Sequence, residues 1–241
     1  MSESFEQVTV GEIVASDFRT ARVFEQFGID FCCGGRQSIA EACESAAVDP
    51  QIVERALRAL PPVTEHDDGD VTRWSPDRLI EHILTTHHAY VRATLPSIGR
   101  QLAKLVEVHG QRHPELARIA ALFEQVGSDL LQHMMKEERV LFPYIHEIAS
   151  SQRSGPARSP FGSVENPIRM MEREHRDAGD ELRFIRDLAS GYEPPADGCA
   201  TYRVCFAQLA EFERDLHRHV HLENNVLFPK AIDLERASLR A

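Results

Sequence analysis

Two stretches of the chain carry residues that could do metal chemistry. HMMKEERVLFP runs from His133 to Pro143 and HVHLENNVLFP from His219 to Pro229; six of the eleven positions agree in one register. Each copy sets a Glu four residues after a His, giving the pairs His133/Glu137 and His219/Glu223. On an α-helix such a pair shares one face, a turn apart, and both side chains can reach one ion. A motif repeated in this way reads as a duplicated helix–helix unit. Each copy then needs a preceding helix with an equivalent donor. His88 lies 45 residues before His133, and His175 lies 44 before His219. His87 sits about 100° from His88 on the same helix, and the spacing favours His88 over it only slightly.

A charged carboxylate in a helical core is costly unless it is paired or bound to metal. Two of them, each one turn from a His, argue for a cation. Imidazole with carboxylate suits iron, manganese or zinc better than calcium or magnesium. Two bridging Glu and four His fill about eight of the roughly twelve positions around two octahedral ions. An oxo or hydroxo bridge takes about two more, which leaves about one position per metal for a small molecule such as O2 or NO. Glu174 is either a further carboxylate beside the centre or a solvated side chain, and Glu138 reads as solvated. His217 and His221 flank His219 by two residues, so they are expected to face away and be exposed.

The elements that must hold these residues are long helices. Ser75-Pro76 starts one, with Leu79, Ile80, Ile83, Leu84, Val91 and Leu95 at helical spacing. Pro96 is expected to kink it, and Gly110 to close it. Pro114 opens a second helix that reaches about Ile148. After a loop over 150–163, a third runs from about Pro167 to Leu188, and Asp197 is expected to cap a fourth. The expectation is an up-down-up-down four-helix bundle over 75–241. Residues 61–74, rich in Pro and acid, read as a linker. Before it, 1–60 form a small helical domain with starts at Thr9, Asp17, Ser38 or Gln37, and Asp49-Pro50. That domain holds DFCCGG, in which Gly34 and Gly35 permit a tight turn and leave Cys32 and Cys33 accessible. The fold class is all-α.

Composition sets the outer bounds. A chain of 241 residues can bury a full core. Its 27 basic residues against 38 acidic ones, net −11, argue against nucleic acid and anionic membrane as electrostatic partners. No run approaches the roughly 20 apolar residues of a membrane span. MSESFEQVTV has neither the basic nor the apolar region of a signal peptide. Five cysteines, two adjacent, do not make a secreted disulfide framework. The expected location is the cytoplasm. Adjacent cysteines seldom form an unstrained disulfide, so Cys32 and Cys33 are read as thiols for transient metal or nitrosyl binding or redox contact. Cys43, Cys199 and Cys205 show no partner pattern and read as structural.

The order DFCCGG, then HMMKEE with LFP, EREH, and LENNVLFP resembles the RIC family, the di-iron proteins for repair of iron centres, over nearly the whole chain. The resemblance implies a small N-terminal domain joined to a hemerythrin-like bundle. It implies two non-haem iron ions, oxo- or hydroxo-bridged, on His88, His133, Glu137, His175, His219 and Glu223, with the two Glu as bridges. It prefers His88 over His87, which lacks the family's spacing to Leu-Pro. It matches Cys32 and Cys33 to the family's paired, functional cysteines. The implied function is restoration of iron–sulfur clusters damaged by nitric oxide or oxidants, through iron donation or NO handling, with the damaged proteins as partners. NO reduction at the di-iron centre is a second reading, and O2 or NO sensing without catalysis a third. A homodimer is compatible with the sequence and is not required by it.

Overall fold

A computed structural model describes residues 8–60, 70–151 and 161–239. The described residues are helices, turns and one isolated bridge between Thr9 and Ser38. They divide into two compact units. Met1–Ile80, Ile145–Arg158 and Arg218–Ala241 contribute the described residues of the first, Glu81–Tyr144 and Ser159–His217 those of the second.

In the first unit, α1 (Val10–Ser16) begins with a reciprocal cap. The Thr9 hydroxyl accepts the Glu12 amide at 3.2 Å, and the Glu12 carboxylate accepts the Thr9 amide at 2.8 Å. Asp17 caps a short 3₁₀ turn, Phe18–Thr20, which leads into α2 (Ala21–Gln26). Gly28 then takes φ +67°, a left-handed conformation that stops the chain there. Ser38 and Glu41 repeat the Thr9/Glu12 cap at α3 (Ile39–Ser45), and Asp49 caps α4 (Pro50–Arg58), whose first residue is proline. All four sequence-read starts are present. Val10, Val14, Phe24, Phe31, Ile39 and Val53 supply buried apolar surface. Of the expected linker, 61–69 lie outside the described residues, while Val71–Arg73 form a 3₁₀ turn with Val71 buried.

The Ser75 hydroxyl accepts the Arg78 amide at the start of α5 (Pro76–His82). The chain continues as a π-helical stretch, Ile83–His88, and then as α6 (Ala89–His109). Helix α6 runs on through Pro96 and ends at Gly110. The next helix, α7 (Glu115–Lys136), gives way to π-helix at Glu137–Leu141 before α8 (Phe142–Ser151). Residues 150 and 151 are therefore helical rather than loop, and 152–160 lie outside the described residues. Then follow α9 (Glu165–Leu188), in the second unit, and α10 (Ala200–Leu222), which belongs to the second unit as far as His217. A π stretch, Glu223–Leu227, then leads to α11 (Phe228–Ser238).

Four long helices meet in the second unit. Phe212 of α10 packs against Phe123 of α7 and Tyr90 of α6, with ring centroids 5.3 and 6.4 Å apart. Arg186 of α9 pairs with Glu213 of α10 at 3.3 Å. Buried Ile98, Leu102, Ile119, Val126, Leu182 and Leu209 fill the interior. The fold is all-α, with its long helices packed as a four-helix bundle, as the hydrophobic periodicity required. Asp197 departs from expectation. Helix α10 begins at Ala200, and the first helical amide goes to the Cys199 carbonyl. The Asp197 carboxylate instead meets Arg112 and His113 at 2.9 and 3.0 Å.

Candidate metal centre

The duplicated motif folds twice into the same irregularity. The Phe142 amide bonds the Glu137 carbonyl five residues back, and the Phe228 amide bonds the Glu223 carbonyl. In both copies the next residue is proline, which offers no N–H to continue an α-helical ladder. The wide turn this leaves is a π-bulge, and each Glu stands at the start of one. The third π stretch carries His87 and His88 at its end.

In the second unit His88, His133, Glu137 and His175 form a buried cluster; Glu137 is 0% exposed. His88 Nε2 lies 3.4 Å from one Glu137 oxygen and His133 Nε2 lies 3.2 Å from the other. His133 Nε2 also faces His175 Nε2 at 2.9 Å. Two carboxylates hold these rings from behind. His88 Nδ1 donates to Glu138 at 2.7 Å and His133 Nδ1 donates to Glu174 at 2.8 Å. Arg92 and Lys136 complete the two carboxylates at 2.8 and 2.5 Å. The His133 hydrogen bond, with burial opposing it and Lys136 assisting, holds the Glu174 carboxyl down at about 2. Burial pushes the Glu138 carboxyl up, but the His88 and Arg92 bonds outweigh it and leave it below its ordinary range.

Both outer carboxylates are therefore ionised, and both Nδ1 atoms are donors. A singly protonated ring in that tautomer turns its Nε2 lone pair toward the Glu137 oxygens. Such lone pairs beside carboxylate oxygens are the donor chemistry of a cation site. An imidazole oriented by a carboxylate behind it is the usual arrangement of a metal-binding His. The donor set thus fits a metal ion. A cavity of about 180 Å³ opens onto His133 and His175 and is bordered by Asp129, Glu174, Asp177 and Glu181. Burial, then Asp129 and Asp177, push the Glu181 carboxyl up.

In the first unit the second copy of the motif makes its own buried pair. His219 Nε2 lies 3.0 Å from Glu223, and both side chains are 0–1% exposed. The residues after Glu223 do something their counterparts do not. Asn225 donates to the Phe31 and Cys32 carbonyls at 3.2 and 3.0 Å, and Asn224 to the Cys32 carbonyl at 3.4 Å. The Asn-Asn of LENN therefore grips the Cys-Cys turn, where the first copy has Glu138 and Arg139. Glycine is required for this approach: a Cβ on Gly35 would collide with Asn225 and with the Phe31 carbonyl.

Several sequence expectations change here. Glu138 is not merely solvated; it orients His88. Glu174 takes the equivalent place behind His133. His87 turns to Asp215, Nδ1 to Oδ1 at 2.9 Å, so His88 and not His87 meets Glu137. His217 is half-buried, and His221 is wholly buried against Phe31 and Phe18, with centroids at 5.8 and 6.2 Å. Burial pushes the His221 imidazole down to about 4. The Gly pair does not leave both sulfurs accessible, because Cys32 is only 8% exposed. The Asp30 carboxylate accepts the Cys32 and Cys33 amides, both at 2.9 Å, and lies 3.2 Å from Cys32 Sγ. The Cys33 hydrogen bond, burial and the Asp30 charge raise the Cys32 thiol, so it stays protonated at neutral pH.

Comparison with known proteins agrees with this donor chemistry. Residues 79–231 match the hemerythrin HHE cation-binding domain, and residues 6–61 match ScdA_N, a domain of unknown function (DUF542). The iron-sulfur cluster repair protein YtfE of Dickeya chrysanthemi is 36% identical, covering 93% of this chain and 96% of that protein. A probable iron-sulfur cluster repair protein of Haemophilus influenzae is 32% identical over 95% and 99%. The iron-sulfur cluster repair protein ScdA of Staphylococcus haemolyticus is 33% identical over 92% and 96%. With a match to a cation-binding domain, buried His/Glu donors in each unit, and relatives that match it nearly end to end, the chain belongs to the RIC family.

Proposed function

We propose that this chain repairs iron–sulfur clusters damaged by nitric oxide or oxidants, using two iron ions held by His88, His133, Glu137, His175, His219 and Glu223. The observation that carries the reading is end-to-end similarity to cluster repair proteins in a chain whose buried donors have metal-ligand chemistry. His88, His133, Glu137 and His175 form one buried donor cluster, and His219 with Glu223 a second buried pair. Each carries one fully buried carboxylate, Glu137 or Glu223, that would serve as a ligand to the irons. An oxo or hydroxo bridge fits the remaining coordination. When bound, the irons supply a ferrous pool and open positions for NO or O2. The protein's own part is to fix the imidazole tautomers through Glu138 and Glu174, and to surround the approach to His133 and His175 with carboxylates that attract cations. Cys32 and Cys33 belong to the same reading as a thiol contact to the damaged protein or its iron. Asn225 and Asp30 hold that turn, and Cys33 is the more exposed of its two sulfurs.

The test is reactivation of an iron–sulfur enzyme inactivated by NO. Iron-loaded protein should restore its activity, and Glu137→Ala protein, which loses iron, should not. Equal rescue by the variant or by free ferrous iron would overturn the proposal. Sustained NO consumption with a reductant, in place of rescue, would favour the NO-reducing reading.

A further inference from the structure

A second site of reactive side chains lies in the second unit, at the start of α10. Cys199 is the residue whose carbonyl receives the first helical amide, that of Arg203, at 3.2 Å. Its side chain is exposed. Its sulfur lies 3.3 Å from Nε2 of His109, the last residue of α6. His109 is only 5% exposed, and its Nδ1 meets no hydrogen-bond partner among the described residues. A buried N–H without an acceptor is rarer than an under-used lone pair. The proton therefore belongs on Nε2, which points at the sulfur. His109 is thus a hydrogen-bond donor to Cys199 rather than a base.

We propose that Cys199 is a redox-modification site whose thiolate exchanges with low-molecular-weight disulfides, and that His109 is its positioning residue. In the step, Cys199 Sγ attacks one sulfur of the disulfide and forms a new S–S bond. The original S–S bond breaks, and the electron pair leaves on the other sulfur as a thiolate. The incoming disulfide is the only oxidant needed.

The surroundings support a thiolate. The Tyr202 amide, with the Thr201 amide and hydroxyl, holds the Cys199 thiol below its ordinary range. Helix α10 adds the positive end of a 23-residue macrodipole. The charged groups nearby are Arg112, His113, Glu115 and Asp197. Both carboxylates are engaged: Asp197 meets Arg112 and His113 at 2.9 and 3.0 Å, and Glu115 meets His113 at 3.0 Å. Burial pushes the Tyr202 hydroxyl up to about 12, so it stays neutral. Cys205, by contrast, is buried and its thiol is pushed up to about 12 by burial alone. The inference does not depend on iron.

The experiment exposes the iron-loaded full chain to glutathione disulfide across pH and maps the adducts by mass spectrometry. Cys199 should acquire glutathione with a rate midpoint below the free-cysteine value of about 8.5. His109→Leu should move the midpoint up. A one-unit rise cuts the thiolate fraction about tenfold, and higher intrinsic nucleophilicity recovers about a factor of three. The net expectation near pH 7 is about threefold slower modification. His109→Gln keeps an N–H donor and should restore part of the rate. Cys199→Ser should lose the adduct while keeping wild-type iron content, which separates this site from the metal centre. A wild-type Cys199 midpoint at or above the free-cysteine value would overturn the proposal. So would a His109→Leu profile matching wild type. If His109→Leu does not fold, the wild-type midpoint and the His109→Gln profile decide.

Discussion

The carboxylates behind the imidazoles set what the individual donors can do. Glu138 and Glu174 do not meet Glu137, yet each fixes the tautomer of a ring that does. Losing such a partner typically costs about 10- to 100-fold in metal affinity. Glu138→Leu and Glu174→Leu should each weaken iron binding by about that factor while leaving the helical content unchanged, as read by chelator competition and circular dichroism. Unchanged affinity in both would mean that these carboxylates are only surface charge. The His-x-x-x-Glu pairs were legible in the sequence because a four-residue step on a helix is a fixed geometry. The outer carboxylates were not, because each partner lies 41 or 50 residues away and contact depends on packing. Residue spacing favoured His88 over His87 only slightly, for the same reason. The choice is made by Asp215, 128 residues from His87.

At the scale of elements, the two copies of the motif have taken different work. Both keep the proline-linked π-bulge that begins at the Glu. The first copy uses the next residue, Glu138, to orient His88, whereas the second uses Asn224 and Asn225 to hold the Cys-Cys turn. Caps such as Thr9/Glu12 and Ser38/Glu41 are local and could be read from the sequence. A grip between residues nearly 200 positions apart could not, nor could the π-bulges, which arise where side-chain packing and a missing N–H override the α-helical ladder. Asn225→Ala should leave the Phe31 and Cys32 carbonyls without that donor, at about 1–3 kcal/mol. It should also loosen the turn that buries Cys32. The measurements are the denaturant midpoint and the alkylation rate of Cys32, which should fall and rise respectively. Gly35→Ala should act in the same direction through its collision with Asn225. A variant with wild-type midpoint and a shielded Cys32 would show that the turn is held by its own Asp30 bonds alone.

For the molecule as a whole, the centre is a place where stability has been exchanged for metal binding. Glu137 is fully buried, with His88 and His133 Nε2 at 3.4 and 3.2 Å from its oxygens. A buried carboxylate is costly unless it is paired or bound to metal. A metal that binds only the folded chain offsets that cost, by an amount that grows with the ratio of free metal to Kd. The consequence is a reversal of stability order. In chelator-treated protein, Glu137→Gln removes the buried charge and should raise stability by about 0.5–2 kcal/mol, the usual gain from relieving a functional compromise. With ferrous iron present the wild type should become the more stable, because the amide is a poor ligand and the variant gains little from the metal. Thermal unfolding of both proteins, with and without iron, reads this directly. If Glu137→Gln is less stable than wild type in both conditions, the carboxylate is a structural partner of the histidines, and the electrostatic argument for a metal at this position fails.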